Sequence, residues 1–394
     1  MREFPALPDD IVELRRDLHL HPELSCKEER TSGIVARELE RLGYRVIADR
    51  SKGFSLLGIM EFDRPGKTLA MRADMDALPL DENPCNLTRP KRWVSQNKGA
   101  AHMCGHDFHT AGMLAAARAV ASNRDSLAGR IIFCFESGEE IGGGHDLTEA
   151  VAKQGRIDAA FAIHIHANYP TGSVSIADGA CTAGCETFDV KVKGRSVHGA
   201  MPHLGIDPVN CAASIVVASN SIISRRVNSR DAAVLSVCAI HGGTSWNRVP
   251  DDVEILGGLR FFSREVGAFL HEKFEALATA TASANECTAE VEWSNFCMPV
   301  VNDAALVAAA RASVDAIGAE NVACDPWMAS ETFARFCDMM PSVMAFVGCA
   351  KPEDGCGAPQ HSDRFDADED CLKVSAALAF DFAKKFLARD GGAQ

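Results

Sequence analysis

The sequence predicts an α/β protein of two domains, a mixed, mainly parallel sheet with helices on both faces interrupted by a smaller ferredoxin-like α+β domain. Three observations predict this. The chain has 394 residues, beyond the length at which one hydrophobic core usually stops growing. Its first part alternates helix-period and strand-like segments, the pattern of a largely parallel sheet covered by helices. Residues 186–298 then carry a complete β-α-β-β-α-β order of their own. The expected division is residues 1–185 and 299–394 in a discontinuous first domain and 186–298 in the insertion.

In chain order, IVELRRDLHLH has apolar residues at helical spacing, with Asp9 and Asp10 as candidate caps, and GIVARELERLGY repeats the pattern up to a terminating Gly43. YRVI, FSLLGIM and TLAMRAD read as strands. An alanine-rich helix (TAGMLAAARAVA), the strand RIIFCFE, a helix near residues 146–154 and the strand AAFAIHIH follow. The insertion supplies the strand ETFDVKVKG, the helix DPVNCAASIVVASNSI, the strands AVLSVCAI and VEILGGLRFF, the helix EVGAFLHEKFEALATA and the strand AEVEWSNF. LVAAARASVDAIG, SVMAFVG and CLKVSAALAFDFAKKFLA return to helix, strand and helix and complete the first domain.

Composition narrows the function classes. A net charge of -14, without a long basic stripe, repels a phosphate backbone, so no nucleic-acid partner is expected. The start is charged and lacks an apolar signal core, and no run of about 18 apolar residues follows, so no membrane partner is expected and the protein reads as cytoplasmic. Fifteen cysteines, an odd and irregularly spaced set, argue against a disulfide framework. Most, including Cys134, Cys185, Cys238 and Cys349, read as small buried apolar residues.

Cys104 differs because of its neighbours. HMCGHDFHT, residues 102–110, packs three histidines, a cysteine and an aspartate into nine positions. Two chemistries suit it: a divalent metal held by Cys104 and His106, or a reactive thiol partnered by a histidine. In an open α/β sheet functional groups gather at the carboxyl ends of strands. TLAMRAD leads to Asp74 and Asp76, RIIFCFE to the pair Glu139 and Glu140, AAFAIHIH to His164 and His166, and the late GAPQHSDRF offers His361. A single histidine at a strand end is most often a packed or capping residue, and a Glu-Glu pair is usually solvated surface. Several such signals converging around CGHD favour a metal. Adjacent glutamates point differently, so one can ligate while the other stays free as a base.

The segments RRDLHLHPELS, MRADMDALPL, HMCGHDFHTA, FESGEE, GAMPHLGIDPV, GGTSWNRVPD and MASETFARF, in this order over nearly the whole chain, resemble the aminoacylase/amidohydrolase branch of the M20 metallopeptidases. The resemblance implies an α/β catalytic domain that holds one or two divalent metals per subunit, Mn2+ or Zn2+, and a lid domain that commonly forms a homodimer. Matched position by position, it implies Cys104, His106, Glu140, His164 and His361 as metal ligands, Glu139 as general base, and Asp76 as the residue orienting a ligand imidazole. It also implies His198 as a catalytic contributor from the lid, often acting on a partner's site, and Asn247 and Arg260 as substrate contacts, the guanidinium suiting a substrate carboxylate.

The sequence also departs from this branch. Glu136, Ser137 and Gly138 stand where relatives usually carry Gln-Pro-Ala, and Thr332 where they usually carry an acidic residue. Glu136 is expected either to perturb Glu139 or to face solvent. His166 is also unusual, a spare ligand or a pocket donor. The segment DENPCNLTRPKRWVSQNKGAA is longer than usual, and its basic residues and Trp93 read either as a solvated loop or as a lid for an anionic substrate. The expected activity is hydrolysis of a C–N bond in a small, anionic molecule, the amide of an N-acyl amino acid or aryl-amide conjugate. The alternatives are an aminohydrolase releasing ammonia from an activated aromatic or amidine carbon, and a noncatalytic binding protein.

Overall fold

TLAMRAD and RIIFCFE are buried along almost their whole length, as parallel strands covered on both faces must be. The computed structural model describes residues 7–388; residues 1–6 and 389–394, which the sequence assigns to the first domain, lie outside the described residues.

The chain runs through α1 (Asp9–Leu20), α2 (Glu29–Arg41), β1 (Arg45–Ala48), β2 (Leu56–Glu61), β3 (Thr68–Asp74), α3 (His106–Ser122), β4 (Arg130–Glu136), α4 (His145–Ala152), β5 (Ala159–Pro170) and β6 (Ser173–Ser175). Next come β7 (Gly184–Lys193), β8 (Val197–His198), α5 (Pro208–Arg226), β9 (Ala233–Gly242), β10 (Arg248–Val249), β11 (Asp252–Phe261), α6 (Arg264–Ala284) and β12 (Thr288–Cys297). It closes with α7 (Ala304–Ile317), β13 (Glu320–Val322), α8 (Ala334–Met339), β14 (Ser342–Ala350) and α9 (Cys371–Phe386). Two compact units result: Met1–Cys181 with Val301–Asp325 and Thr332–Gln394, and Thr182–Val300 with Pro326–Glu331.

In the first unit an eight-stranded sheet has the order β1-β2-β4-β3-β5-β14-β6-β13. Its centre, β4-β3-β5-β14, is parallel, and β2 joins β4 antiparallel. Strand alternation then sorts the side chains. Leu69, Met71 and Ala73 of β3, and Ile131, Phe133 and Phe135 of β4, belong to the main core shared with α1, α2, α3, α7 and α9. Their alternates Arg72, Asp74, Cys134 and Glu136 are equally buried on the other face, where α4 packs on β2 and β4, and α8 on β14. Polar groups destined for chemistry thus share one face.

The second unit is a four-stranded antiparallel sheet of order β12-β7-β11-β9, the ferredoxin-like arrangement, and α5 and α6 build its core with Phe188, Ile255 and Phe274. Val253, Ile255, Leu259 and Phe261 of β11 are buried and their neighbours less so, as a sheet covered on one face requires.

Two local expectations change. Asp9 and Asp10 do not cap α1: the capping position is Pro8, and the aspartates sit in the first turn, where their charge suits the helix N-terminus. Cys238 is exposed because β9 is an edge strand. Cys134, Cys185 and Cys349 are buried, and no disulfide forms among the described residues, which include every cysteine of the chain.

Candidate metal centre

Gly105 precedes α3 in the left-handed region, φ 89°. A Cβ there would lie 2.4 Å from Cδ1 of Ile165, so glycine lets the CGHD turn press against β5. This sets Cys104 Sγ 3.5 Å from His164 Nε2 and starts the helix at His106. Farther along the chain, β4 ends at Glu136, Gly138 turns in the left-handed region, and Glu139–Ile141 forms a single tight turn. Glu140 then has Oε1 3.8 Å from His106 Nε2 and Oε2 3.4 Å from His361 Nε2. His361 adopts φ 66°, and its amide donates to Met103 O at 2.8 Å.

Potential ligand atoms consequently fall within 4.8 Å of one another in four overlapping groups: Cys104, His106 and His164; Cys104, Glu140 and His361; His106, Glu139 and Glu140; Asp74, His106 and His109. The five ligand positions expected from the sequence therefore meet in one place, with Glu139 beside them.

Hydrogen bonds orient the imidazoles. A carbonyl can only accept, so His164 Nδ1 donates to Ile165 O at 2.6 Å and presents Nε2 to Cys104. Likewise His106 Nδ1 donates to Asp76 O at 2.9 Å, with Asp76 Oδ1 at 3.2 Å, and aims Nε2 at the carboxylates. Asp76 Oδ2 also accepts from Glu140 N at 3.0 Å and Ser25 Oγ at 2.6 Å, joining one candidate ligand ring to the backbone of another. His109 is fully engaged: Nδ1 on Asp74 Oδ1 at 2.6 Å, and Nε2 accepting from Ile165 N at 2.9 Å.

The donors fit a divalent cation. His106 Nε2 and Glu140 Oε1 are buried and have no hydrogen-bond partner among the described residues, an arrangement that costs stability unless a ligand satisfies them. The electrostatics agree. Burial pushes Glu140 up to about 7, and Asp76 and Asp74 add to the rise against His106. At His106 burial disfavours the proton, but Asp74 and the bond to Asp76 outweigh it and raise the pKa well above the usual value. Burial first, then Glu140, raises the Cys104 thiol well above its ordinary range, which disfavours a ready thiolate nucleophile.

The second unit holds the remaining candidates. His198 lies in β8, which pairs with β10, and Gly199 N donates to Asn247 O at 2.8 Å. His198 and Asn247 thus meet at one small two-stranded ribbon whose strands are distant in sequence, both exposed. Arg260 is half-buried on β11, with Nη1 3.4 Å from Ser330 Oγ. It borders a cavity of about 610 Å³ lined in part by Gly257 and Gly258.

A model of peptidase family M20/M25/M40 matches residues 70–385. The chain belongs to this family. It is 33% identical over 391 residues to thermostable carboxypeptidase 2 of Saccharolobus solfataricus, covering 97% of this chain and 98% of that one. It is 32% identical over 382 residues to N-acetyl-L-cysteine deacetylase of Bacillus subtilis, covering 97% and 89%. The crystal structure of the Bacillus subtilis YXEP protein, a dinuclear metal binding peptidase of the M20 family, superposes with a TM-score of 0.83 at 28% identity, covering 96% and 98%.

Against this M20 background one alternative for Glu136 falls. Glu136 does not face solvent: it is 2% exposed, and its Oε2 accepts from Arg72 Nε at 2.6 Å. The long segment 81–101 keeps Arg89, Arg92 and Lys98 exposed and is tied at several points to the segment carrying His361, as a strap. Asn83 N donates to Asp363 O at 3.0 Å, Asn86 Nδ2 to Asp354 O at 3.0 Å and Asp366 Oδ2 at 2.8 Å, and buried Lys91 Nζ reaches Glu82 at 2.8 Å and Asp363 O at 3.3 Å. Arg89 pairs with Asp354, and Arg92 lies over the Trp93 ring. His166 is buried between Tyr169 and Phe346, and burial lowers its pKa to about 4.

Sequence reasoning assigns no role to His109, Arg72 or Glu28. His109 is detectable in principle, since a residue three after His106 in a helix lies on the same face. Glu28 is buried and accepts from Cys26 N at 3.0 Å, Ser137 Oγ at 2.5 Å and Gly138 N at 2.8 Å, anchoring the turn before the glutamate pair; no local pattern signals a contact of that span.

Proposed function

We propose that this M20 hydrolase cleaves the amide C–N bond of an N-acyl amino acid or a related aryl-amide conjugate. Cys104, His106, Glu140, His164 and His361 would hold one or two divalent ions, the mixed thiolate, imidazole and carboxylate set suiting Zn2+ or Mn2+. Such an ion supplies Lewis acidity and brings the pKa of a coordinated water toward neutrality. The observation that carries the reading is the division within the glutamate pair. Glu140 aims both oxygens at histidine nitrogens, whereas Glu139 Oε1 accepts from the Thr332 amide at 3.1 Å. Glu139 is then the base that takes a proton from attacking water and hands it to the departing nitrogen.

Asp76 orients His106. His198, Asn247 and Arg260 handle substrate by family resemblance, Arg260 taking a carboxylate. The N-acetylcysteine deacetylase likeness supports an acyl amino acid substrate, and the second unit's open β9 edge suits a homodimer. Among the described residues no helix is long and apolar enough to cross a membrane.

The test is a panel of N-acyl amino acids, acyl-aminobenzoates and amino-substituted aromatics given to metal-loaded protein, with products identified. Release of a carboxylic acid and a free amine is expected. Ammonia from an aromatic amine, with every amide left intact, would replace this reading with an aminohydrolase.

A further inference from the structure

Glu136 and Thr332 fall on opposite sides of one guanidinium. Arg72 is 1% exposed. Its Nε donates to Glu136 Oε2 at 2.6 Å, its Nη1 to Asp74 Oδ2 at 2.6 Å and its Nη2 to Thr332 Oγ1 at 2.9 Å. The Thr332 amide in turn donates to Glu139 Oε1 at 3.1 Å. A second link ties the same two segments together, because Arg335 donates to Gly142 O at 2.6 Å and also to Gly143 O. The glutamate turn and the segment beginning at Thr332 are therefore clipped from both ends.

Space for Glu136 is provided by its neighbours. A Cβ on Gly144 would lie 1.9 Å from Glu136 Oε1, so the third glycine of the run after the glutamate pair leaves room for this carboxylate. Charge supplies the rest of the argument. A buried guanidinium needs carboxylate partners in good geometry, and removing one leaves an uncompensated group. With Asp74 and Glu136 in place, an acid at 332 would bring a further carboxylate to the guanidinium, and a neutral residue at 136 would take one away.

We infer that Arg72, Glu136 and Thr332 form a clamp of positioning residues for Glu139, in which the Asp74 and Glu136 carboxylates hold the guanidinium against the Thr332 hydroxyl. The clamp acts by fixing where the Thr332 amide holds the Glu139 carboxylate, and a misplacement of about 1 Å at a reacting group can cost about 100-fold in rate. This rests on the reading of Glu139 as the base.

The experiment is an exchange cycle in the metal-loaded enzyme: Glu136→Gln, Thr332→Asp and the double variant, each measured for kcat, KM, metal content and thermal midpoint. Each single change should lower kcat by roughly 10-fold or more, with KM within about threefold and metal content unchanged. The double variant should recover kcat to within about threefold of the parent and regain thermal midpoint, a non-additivity expected only of coupled groups. Losses that simply multiply in the double variant overturn the clamp. Should the changes at 136 prevent folding, Thr332→Ser and Thr332→Val decide the matter, because both keep the amide and only serine keeps the hydroxyl for Arg72. Serine should retain kcat and valine should not; equal rates overturn the proposal. Glu139→Gln in the same assay separates the two readings: full activity there refutes the base, while thermal coupling between 136 and 332 still reports the clamp.

Discussion

In the first unit Cys104, His106, His164, Asp76 and Glu139 are buried, each fixed by neighbours before any ligand arrives. In the second unit His198 and Asn247 are exposed where β8 pairs with β10, beside Trp246 at 96% exposure, and Arg260 is half-buried with a long contact of 3.4 Å to the Ser330 hydroxyl. The first group is preorganised, so its contribution costs little reorganisation when the reaction occurs. The second group has few neighbours to hold it, so a ligand or another chain must order it. Substitutions should therefore act differently in the two regions: on metal and chemistry in one, on substrate handling in the other.

The sharpest test of that contrast is the glutamate pair. Glu139→Gln should keep its metal and lose about 100-fold or more in kcat, and Glu140→Gln should lose metal by elemental analysis. The opposite pattern would reverse the two assignments. Chelation should abolish activity in the parent; an active, metal-free preparation would remove the metal from the mechanism.

A second test probes how firmly the buried region is built. Glu82, within the strap, accepts from His19, Lys91 and the Ser95 amide. Burial opposes its charge, but His19 and Lys91 win and hold its pKa at about 2, against 4.5 for an ordinary glutamate. A folded-state value below the unfolded one means stability that is fully present above pH 4.5 and lost as pH falls toward 2, in all about 3 kcal/mol. Glu82→Gln should thus lower the unfolding free energy at about pH 7 and flatten its decline between about pH 5 and 2.5. A parent and variant with parallel acid profiles would contradict the network.

On the exposed side, His198→Ala should lower kcat by about 10-fold with metal content unchanged. If the ring serves a partner's site, mixing it with Glu139→Gln protein under subunit exchange should restore part of the activity; verified heterodimers without recovery would confine His198 to its own subunit. The smallest effect belongs to Arg260→Lys, which loses the bidentate fork but keeps the charge. KM for a carboxylate-bearing substrate should rise by about fivefold and that for its amide hardly at all; equal changes for both would take the carboxylate away from Arg260.

The same contrast explains what is legible in the sequence. CGHD can be read because its donor-bearing and turn residues are contiguous, and β3, β4 and β5 because continuous apolar runs bounded by polar residues mark buried strands. The ferredoxin-like order is legible from period changes alone. Glu136 misleads because its partner, Arg72, lies on the neighbouring strand, and strand register is invisible without pairing. The strap's attachment is hidden for a related reason: Asn83, Asn86 and Lys91 find partners near residues 354–366 in contacts that only the fold creates.

The strand order has a consequence for biosynthesis. β14 lies between β5 and β6 in the sheet, and His361 follows β14, yet both are made after the entire second unit. On the ribosome Cys104, His106, Glu140 and His164 emerge early, beside a sheet whose centre is still missing a strand. The second unit has its own core and can fold while that gap stands open, since domains generally fold as units during synthesis. On the ligand reading proposed above, the donor set would be complete only once His361 has followed β14 into place, so a chain cut before β14 would lack both a central strand and one of the five donors.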